Sequence, residues 1–138
     1  MIERKYDFPT ISPDSVENNL SNDDYIILDT RESVEFDVSH IPGSIEFGYE
    51  QPKYGELSQA DTSKTIIVYC SIGVRSEKIG QKLNEKGFNN VYNLYGGIFL
   101  WADQFRPLEN QKSDSTDKVH GYNKFWGRWI DKAPVVYE

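Results

Sequence analysis

A continuous apolar run that ends in a cysteine constrains the fold of this chain most strongly. Residues Thr65–Tyr69 are followed by Cys70, and a short segment then leads into a helix-like stretch over 77–86 that ends at Gly87. An uninterrupted apolar run is typical of a strand buried on both faces, as in parallel sheets. The sequence therefore predicts a strand, a tight loop and a helix, with the cysteine at the junction.

Further apolar runs alternate with helix-like stretches along the chain. A helix is predicted to begin at Ser12, the N-cap, with Pro13 in its first turn. Other strands are predicted over 25–28, 44–47 and 90–94, and other helices over 32–38 and 98–101. Strands that alternate with helices indicate an α/β fold with a mostly parallel sheet covered on both faces.

Two polar segments lie at the carboxyl ends of predicted strands, where sheets of this kind bind ligands. They are Asp29–Arg31 and the segment that begins at Cys70. The first N–H groups of a helix lack acceptors within it, and the helix dipole adds positive potential. We therefore expect Cys70 to be a reactive thiolate. The alternative is a small buried apolar residue at a strand end, but the neighbouring Gly73, Arg75 and Ser76 favour the reactive cysteine.

Composition limits the classes of function. At 138 residues the chain is one domain, and a formal net charge of −7 disfavours binding to nucleic acid or to anionic membranes. A single cysteine excludes an intramolecular disulfide, and no spacing of zinc ligands is visible. No apolar leader or membrane-spanning stretch is visible either, so we expect a cytoplasmic protein.

Four segments occur together in one order and spacing. They are Leu28–Arg31 with Glu35–Phe36, His40–Ser44, Val68–Cys70 with Gly73, Arg75 and Ser76, and Leu94–Gly97 with Trp101. As a set they resemble the rhodanese-like domain, over roughly residues 10–108. The resemblance implies a three-layer α/β/α fold with a five-stranded, mostly parallel sheet.

The resemblance also implies a sulfurtransferase. Cys70 would take a sulfane sulfur from thiosulfate or a persulfide, become a persulfide itself, and pass the sulfur to a thiol, to cyanide or to an acceptor protein. No metal or organic cofactor would be needed. The residues expected to bind the substrate are Ser71, Ile72, Gly73, Val74, Arg75 and Ser76.

Roles differ among the polar residues that match the family. Asp29 and Arg31 are expected to support the loop, through an ion pair or contacts with Glu35. Arg75 either faces the substrate or pairs with a carboxylate. We expect Ser76 to cap the helix and His40 to be a hydrogen-bonded structural residue.

Two functions other than sulfur transfer are known for this fold. Phosphatases and arsenate reductases of this fold use a cysteine-to-arginine loop one residue longer, whereas four residues separate Cys70 from Arg75 here. A non-catalytic regulatory or interaction module is the other alternative, but such modules commonly lack the cysteine.

The interior of the loop carries no charge, which predicts weak attraction for thiosulfate and favours a persulfide donor.

The last residues lie beyond the span of the resemblance. We predict a rhodanese-like domain over 1–110, a polar linker over 111–118 and an aromatic extension over 119–138. One face of a predicted helix would carry Tyr122, Phe125, Trp126, Trp129 and Ile130. We expect this helix to pack on the domain; a contact with a partner or a lid beside the cysteine loop are the alternatives. A monomer or a weak homodimer is expected.

Overall fold

Five parallel strands form the central sheet in the computed structural model of the protein, which describes residues 8–121 and 134–136. The strands are β1 (Thr10–Ile11), β2 (Tyr25–Asp29), β3 (Ile45–Glu46), β4 (Thr65–Tyr69) and β5 (Val91–Leu94). Their order is β1-β5-β4-β2-β3, and each neighbouring pair is parallel. The predicted α/β class and the five-stranded sheet are confirmed. β4 is the central strand, so the cysteine that follows it lies at the middle of one sheet edge.

The described residues form four α-helices, of which three lie between strands of the sheet in sequence and the fourth follows β5. They are α1 (Pro13–Glu17), α2 (Ser33–Val38), α3 (Val74–Glu85) and α4 (Gly97–Asp103), with short 3₁₀ turns at Tyr54–Glu56 and Gln59–Ser63. α1 begins as predicted, because the Ser12 side chain accepts a hydrogen bond from the Ser15 N–H.

Two apolar clusters cover the two faces of the sheet. Ile67 and Tyr69 of β4 pack with Trp101 of α4, whereas Val68 packs with Ile79 of α3. This alternation is what a strand buried on both faces requires, since successive side chains point to opposite faces. It gives the three layers that the resemblance implies.

The start of α3 differs from the prediction. The helix begins at Val74 rather than at residue 77, and Gly73 is its N-cap with a positive φ of 110°. Ser76 lies within the first turn, so the prediction that Ser76 caps the helix is wrong. Its hydroxyl is used by other partners described below.

The C-terminal region is described in part. Most of residues 111–118 are exposed, but the Gln111 N–H donates to the Asp37 carbonyl of α2 at 3.1 Å. Beyond them β6 (Val119–His120) pairs in parallel with β7 (Val135–Val136), and Val119 is fully buried in the core. The predicted aromatic helix lies outside the described residues, and the proposed domain boundaries stay a prediction. Within the described part, no helix is long and apolar enough to span a membrane.

Candidate active site

Cys70 directly follows β4 and is 1% exposed. Its Sγ accepts a hydrogen bond from the Gly73 N–H, with a nitrogen–sulfur distance of 3.1 Å. The loop can turn this tightly because Gly73 adopts a positive φ, which a residue with a side chain rarely does. A backbone N–H aimed at the sulfur favours negative charge on it.

A second contact to the sulfur comes from the first turn of α3. The Ser76 Oγ lies 3.4 Å from the Cys70 Sγ and 2.6 Å from the Asn93 Oδ1. The Asn93 amide in turn donates from Nδ2 to the Gly73 carbonyl at 3.0 Å. Asn93 was not predicted as a site residue; its signal in the sequence is a polar side chain inside the otherwise apolar strand β5.

The start of α4 holds the other side of the loop. The N–H groups of Ile98 and Phe99 donate to the carbonyl oxygens of Cys70 and Ser71, at 2.9 and 3.1 Å. This approach requires Gly97, because a Cβ there would lie 2.3 Å from the Ser71 oxygen. The cysteine loop is therefore fixed by two helices and by β5.

An ion pair connects the loop to α2. Arg75 donates from Nη1 and Nη2 to the two carboxylate oxygens of Glu35, at 3.0 and 3.1 Å, and Nη2 also donates to the Ser71 Oγ at 3.0 Å. Burial acts to raise the pKa of Glu35, but the hydrogen bonds and charge of Arg75, with the charge of Arg31, outweigh it and hold that pKa below its usual range. The pairing of Arg75 with a carboxylate is confirmed.

Asp29 and Arg31 form a buried pair next to this cluster. The guanidinium donates from Nε and Nη2 to the Asp29 carboxylate, with a shortest distance of 2.7 Å, and both side chains are fully buried. Asp29 also accepts from the Tyr69 hydroxyl at 2.8 Å. Burial, and then the charge of Asp29, raises the pKa of Tyr69 well above its ordinary value, so the hydroxyl stays a donor.

This pair supports the residue before the cysteine rather than the sulfur itself. Tyr69 immediately precedes Cys70, and its hydroxyl also accepts from the Ile41 N–H at 3.1 Å. Arg31 donates to the Ser39 carbonyl at 2.7 Å. The predicted ion pair is therefore present, while the carboxylate that contacts the loop directly is that of Glu35.

His40 is a structural residue, as predicted. Its Nδ1 lies 3.0 Å from the Phe36 carbonyl oxygen, and its ring stacks on the Phe36 ring with centroids 3.8 Å apart. The Nε2 faces Glu109 at 3.9 Å. None of these contacts involves the cysteine loop.

The predicted substrate-binding residues fall into four groups. Gly73 and Ser76 contact the sulfur, whereas Ser71 and Arg75 contact Glu35. Ile72 packs against the core cluster. Val74 is 48% exposed at the start of α3. The loop thus supplies hydrogen-bond donors to the Cys70 sulfur, an arginine whose charge is paired with Glu35, and uncharged side chains at its surface.

Comparison with known proteins agrees with this architecture. The family model of the rhodanese-like domain matches residues 12–104. A tRNA uridine(34) hydroxylase of Photorhabdus laumondii is 33% identical over an alignment of 101 residues, and the match covers 70% of this chain but 29% of that protein. The chain therefore spans less than a third of this relative.

Among solved structures that share the fold, two serve as examples. A thiosulfate sulfurtransferase from Pseudomonas aeruginosa superposes with a TM-score of 0.68 at 20% identity, over 82% of this chain and 21% of that one. A rhodanese-related protein from Thermoplasma volcanium gives a TM-score of 0.61 at 26% identity, over 73% of this chain and 97% of that one. With a family match over more than half of its length and a cysteine loop between β4 and α3, the chain belongs to the rhodanese-like domain family.

Proposed function

We propose that the protein is a sulfurtransferase whose sulfur carrier is Cys70. The observation that carries the proposal is the environment of the Cys70 sulfur. Its Sγ accepts a hydrogen bond from the Gly73 N–H and contacts the Ser76 hydroxyl in the first turn of α3. These donors stabilise a sulfur anion, which is the form that attacks a sulfane sulfur.

The reaction needs two balanced steps. In the first, the Cys70 thiolate attacks the outer sulfur of the donor, a sulfur–sulfur bond forms, and the donor leaves with the electron pair of its own sulfur bond, as sulfite from thiosulfate or as a thiolate from a persulfide. In the second, a thiolate or cyanide attacks the outer sulfur of the Cys70 persulfide. The persulfide bond breaks and the cysteine thiolate is restored. No net oxidation or external reductant is required.

The charges at the loop favour a persulfide donor over thiosulfate. Arg75 is the cation of the loop, and its two terminal nitrogens are hydrogen-bonded to Glu35. The remaining interior side chains, those of Ser71, Ile72 and Val74, carry no charge, and the whole chain carries −7. The thiosulfate dianion therefore meets little electrostatic attraction at this loop. A persulfide carries one negative charge, so the net charge of the protein repels it less.

The same ion pair disfavours phosphatase or arsenate reductase chemistry. Those reactions need an arginine that grips a tetrahedral oxyanion, and here Arg75 holds Glu35 in a two-point contact. Arsenate reduction also needs a second thiol, whereas this chain has one cysteine. The short spacing between Cys70 and Arg75 agrees with this argument.

The 33% identity to a tRNA uridine(34) hydroxylase supports a second candidate, in which this domain works with other modules on tRNA. The acidic charge of the chain argues against strong tRNA binding by the domain itself. Binding of purified tRNA at low salt would support this candidate, and an absence of binding would argue against it.

Turnover tests the main proposal. We expect the protein to release sulfite from thiosulfate, or thiolate from a persulfide donor, when cyanide or a thiol is present. Cys70→Ser should lose at least about two orders of magnitude in rate, because a hydroxyl is a poor nucleophile at neutral pH. Wild-type turnover in a folded Cys70→Ser variant would refute the proposal, and a wild-type protein without turnover would support a non-catalytic module.

A further inference from the structure

The Ser76 hydroxyl has one proton and two acceptors within reach. Its Oγ lies 2.6 Å from the Asn93 Oδ1 and 3.4 Å from the Cys70 Sγ. All three residues are buried. A serine hydroxyl donates one hydrogen bond at a time, so the amide oxygen and an anionic sulfur compete for the same proton.

The orientation of the Asn93 amide is fixed by its other contact. The Gly73 carbonyl, 3.0 Å away, can only accept, so the Asn93 atom that faces it is the Nδ2 donor. The Oδ1 is therefore turned to Ser76, and the 2.6 Å contact between them requires the Ser76 O–H as donor.

We propose that Asn93 is a positioning residue that competes with the Cys70 sulfur for the Ser76 proton, an inference that rests on the sulfur transfer proposed above. With a neutral thiol, the Cys70 S–H donates to the Ser76 Oγ, and the Ser76 O–H donates to Asn93. When the thiol gives its proton to water, the Ser76 O–H turns to the sulfur anion and the hydrogen bond to Asn93 breaks. The S–H bond breaks and an O–H bond forms on the water that takes the proton; no other covalent bond changes.

The competition follows the charge on Sγ through the sulfur-transfer cycle. In the persulfide the negative charge lies on the outer sulfur, so the Ser76 proton returns to Asn93. When an acceptor removes the outer sulfur, charge develops on Sγ as the leaving group, and the hydroxyl turns back to stabilise it. Asn93 thereby holds the hydroxyl in place between turnovers, while Ser76 acts on the reacting sulfur.

Other charges around the sulfur have to stay constant in a test. Those that lie around the cysteine loop on the packed elements are Arg75 of α3, Glu35 of α2, and the Asp29–Arg31 pair at the carboxyl end of β2. The described strand β5 and the first turn of α4 supply no charged side chain. Substitutions at Ser76 and Asn93 leave all of these groups in place.

Ultraviolet titration of the Cys70 thiolate measures the competition directly. Each variant is compared with its Cys70→Ser counterpart, so that the absorbance of the tyrosines cancels. Ser76→Ala removes the donor, and we expect the titration midpoint to rise by about one pH unit. Asn93→Leu, which keeps the bulk in β5, removes the competing acceptor, and we expect the midpoint to fall by about half a unit.

The double variant decides between two routes of action. If Asn93 acts through Ser76, Asn93→Leu leaves the midpoint unchanged in the Ser76→Ala background. If it acts only through the Gly73 carbonyl, the shift is the same in both backgrounds, and that result would overturn the proposal, as would a rise in the Asn93→Leu single variant. Asn93→Ala removes the same acceptor without added bulk and is measured alongside, so that unfolding of one variant leaves the other to decide.

The titration uses no sulfur donor, so it separates the two proposals. Absent midpoint shifts in variants that still form the persulfide would refute the role of Asn93 alone. Normal shifts in a protein that takes up no sulfur would refute the sulfurtransferase function alone.

Discussion

Glu35 and Arg75 form a two-point ion pair that joins the first turn of α2 to the first turn of α3, with nitrogen–oxygen distances of 3.0 and 3.1 Å. The Glu35 carboxylate also accepts from the Glu32 N–H at 2.9 Å. The same carboxylate thus completes a capping box in α2 and fixes the arginine of the cysteine loop.

Removing the Glu35 charge should destabilise the protein. Glu35→Gln removes the carboxylate charge that the largely buried Arg75 contacts at two points, and we expect a loss of about 3 kcal/mol in the free energy of unfolding, measured by urea denaturation. Glu17→Gln is the matched control, because the Glu17 side chain is 38% exposed and its partner Arg106 keeps a second carboxylate, that of Asp14; it should cost less than about 1 kcal/mol. Equal losses in the two variants would contradict the structural role assigned to the buried pair.

The same pair should make the protein sensitive to acid. The folded-state pKa of Glu35 lies below its usual value, so its stabilisation is complete above the unfolded-state pKa of about 4.3 and is lost as the pH falls through the lower folded-state pKa. Denaturation measured from pH 6 downward should therefore show a smaller loss of stability in Glu35→Gln than in wild type. Parallel curves for the two proteins would argue against this contribution.

A positive charge at the mouth of the loop should improve the use of thiosulfate. Val74 is half exposed, so Val74→Lys is tolerated better than a lysine at Ile72, which packs on the core. We expect the KM for thiosulfate to fall about fivefold at low ionic strength, a gain of about 1 kcal/mol, and the gain to shrink as salt is added. Val74→Gln controls for the lost apolar surface and should leave KM unchanged. A wild-type KM already in the low micromolar range would contradict the electrostatic argument.

Gly97 should be needed for the position of the cysteine loop. Its φ is 61°, and an added Cβ would meet the Ser71 oxygen at 2.3 Å. Gly97→Ala should cost about 2–5 kcal/mol and displace the loop carbonyls, with loss of sulfur transfer. Gly43→Ala has a comparable φ of 80° but open space, so it should cost only about 1–2 kcal/mol and keep the activity. Similar losses of activity in both variants would show that backbone strain, rather than the contact with Ser71, is responsible.

The C-terminal region should contribute to the stability of the core. Val119 of β6 is fully buried in the cluster that contains Trp101. Val119→Ala should lower the free energy of unfolding by about 2 kcal/mol, whereas Val34→Ala at a half-exposed site should change it by less than about 0.5 kcal/mol. A thermal melt of Val119→Ala that matches wild type would contradict this contribution of the buried Val119 side chain.

Local patterns were sufficient to predict most of the fold. The apolar runs that became β2 and β4 are long and bounded by polar residues, so their burial could be predicted from the sequence. β1 could not be predicted, because Thr10–Ile11 is too short to show a period and becomes a strand only by pairing with Asn93 and Leu94 of β5.

The contact between Cys70 and Gly73 could be predicted from the sequence, whereas the contacts of Asn93 with Ser76 and of Glu35 with Arg75 could not. Cys70 and Gly73 are recognisable as loop residues from the pattern of strand, turn and helix, and in the structure the Gly73 N–H donates to the Cys70 Sγ. Asn93 and Glu35 act through tertiary contacts to Ser76 and to Arg75, across 17 and 40 positions of sequence. No local spacing signals such contacts. For the same reason the sequence predicted Ser76 to be a helix cap, although its hydroxyl contacts the Cys70 sulfur and the Asn93 amide.

Intact mass spectrometry of the protein after incubation with a persulfide donor tests the central claim most directly. We expect wild type to gain the mass of one sulfur atom on Cys70, and to lose it with formation of thiocyanate when cyanide is added. Cys70→Ser should gain no sulfur under the same conditions. A folded wild-type protein that takes up no sulfur, or a Cys70→Ser variant that takes up as much as wild type, would contradict the assignment of Cys70 as the sulfur carrier.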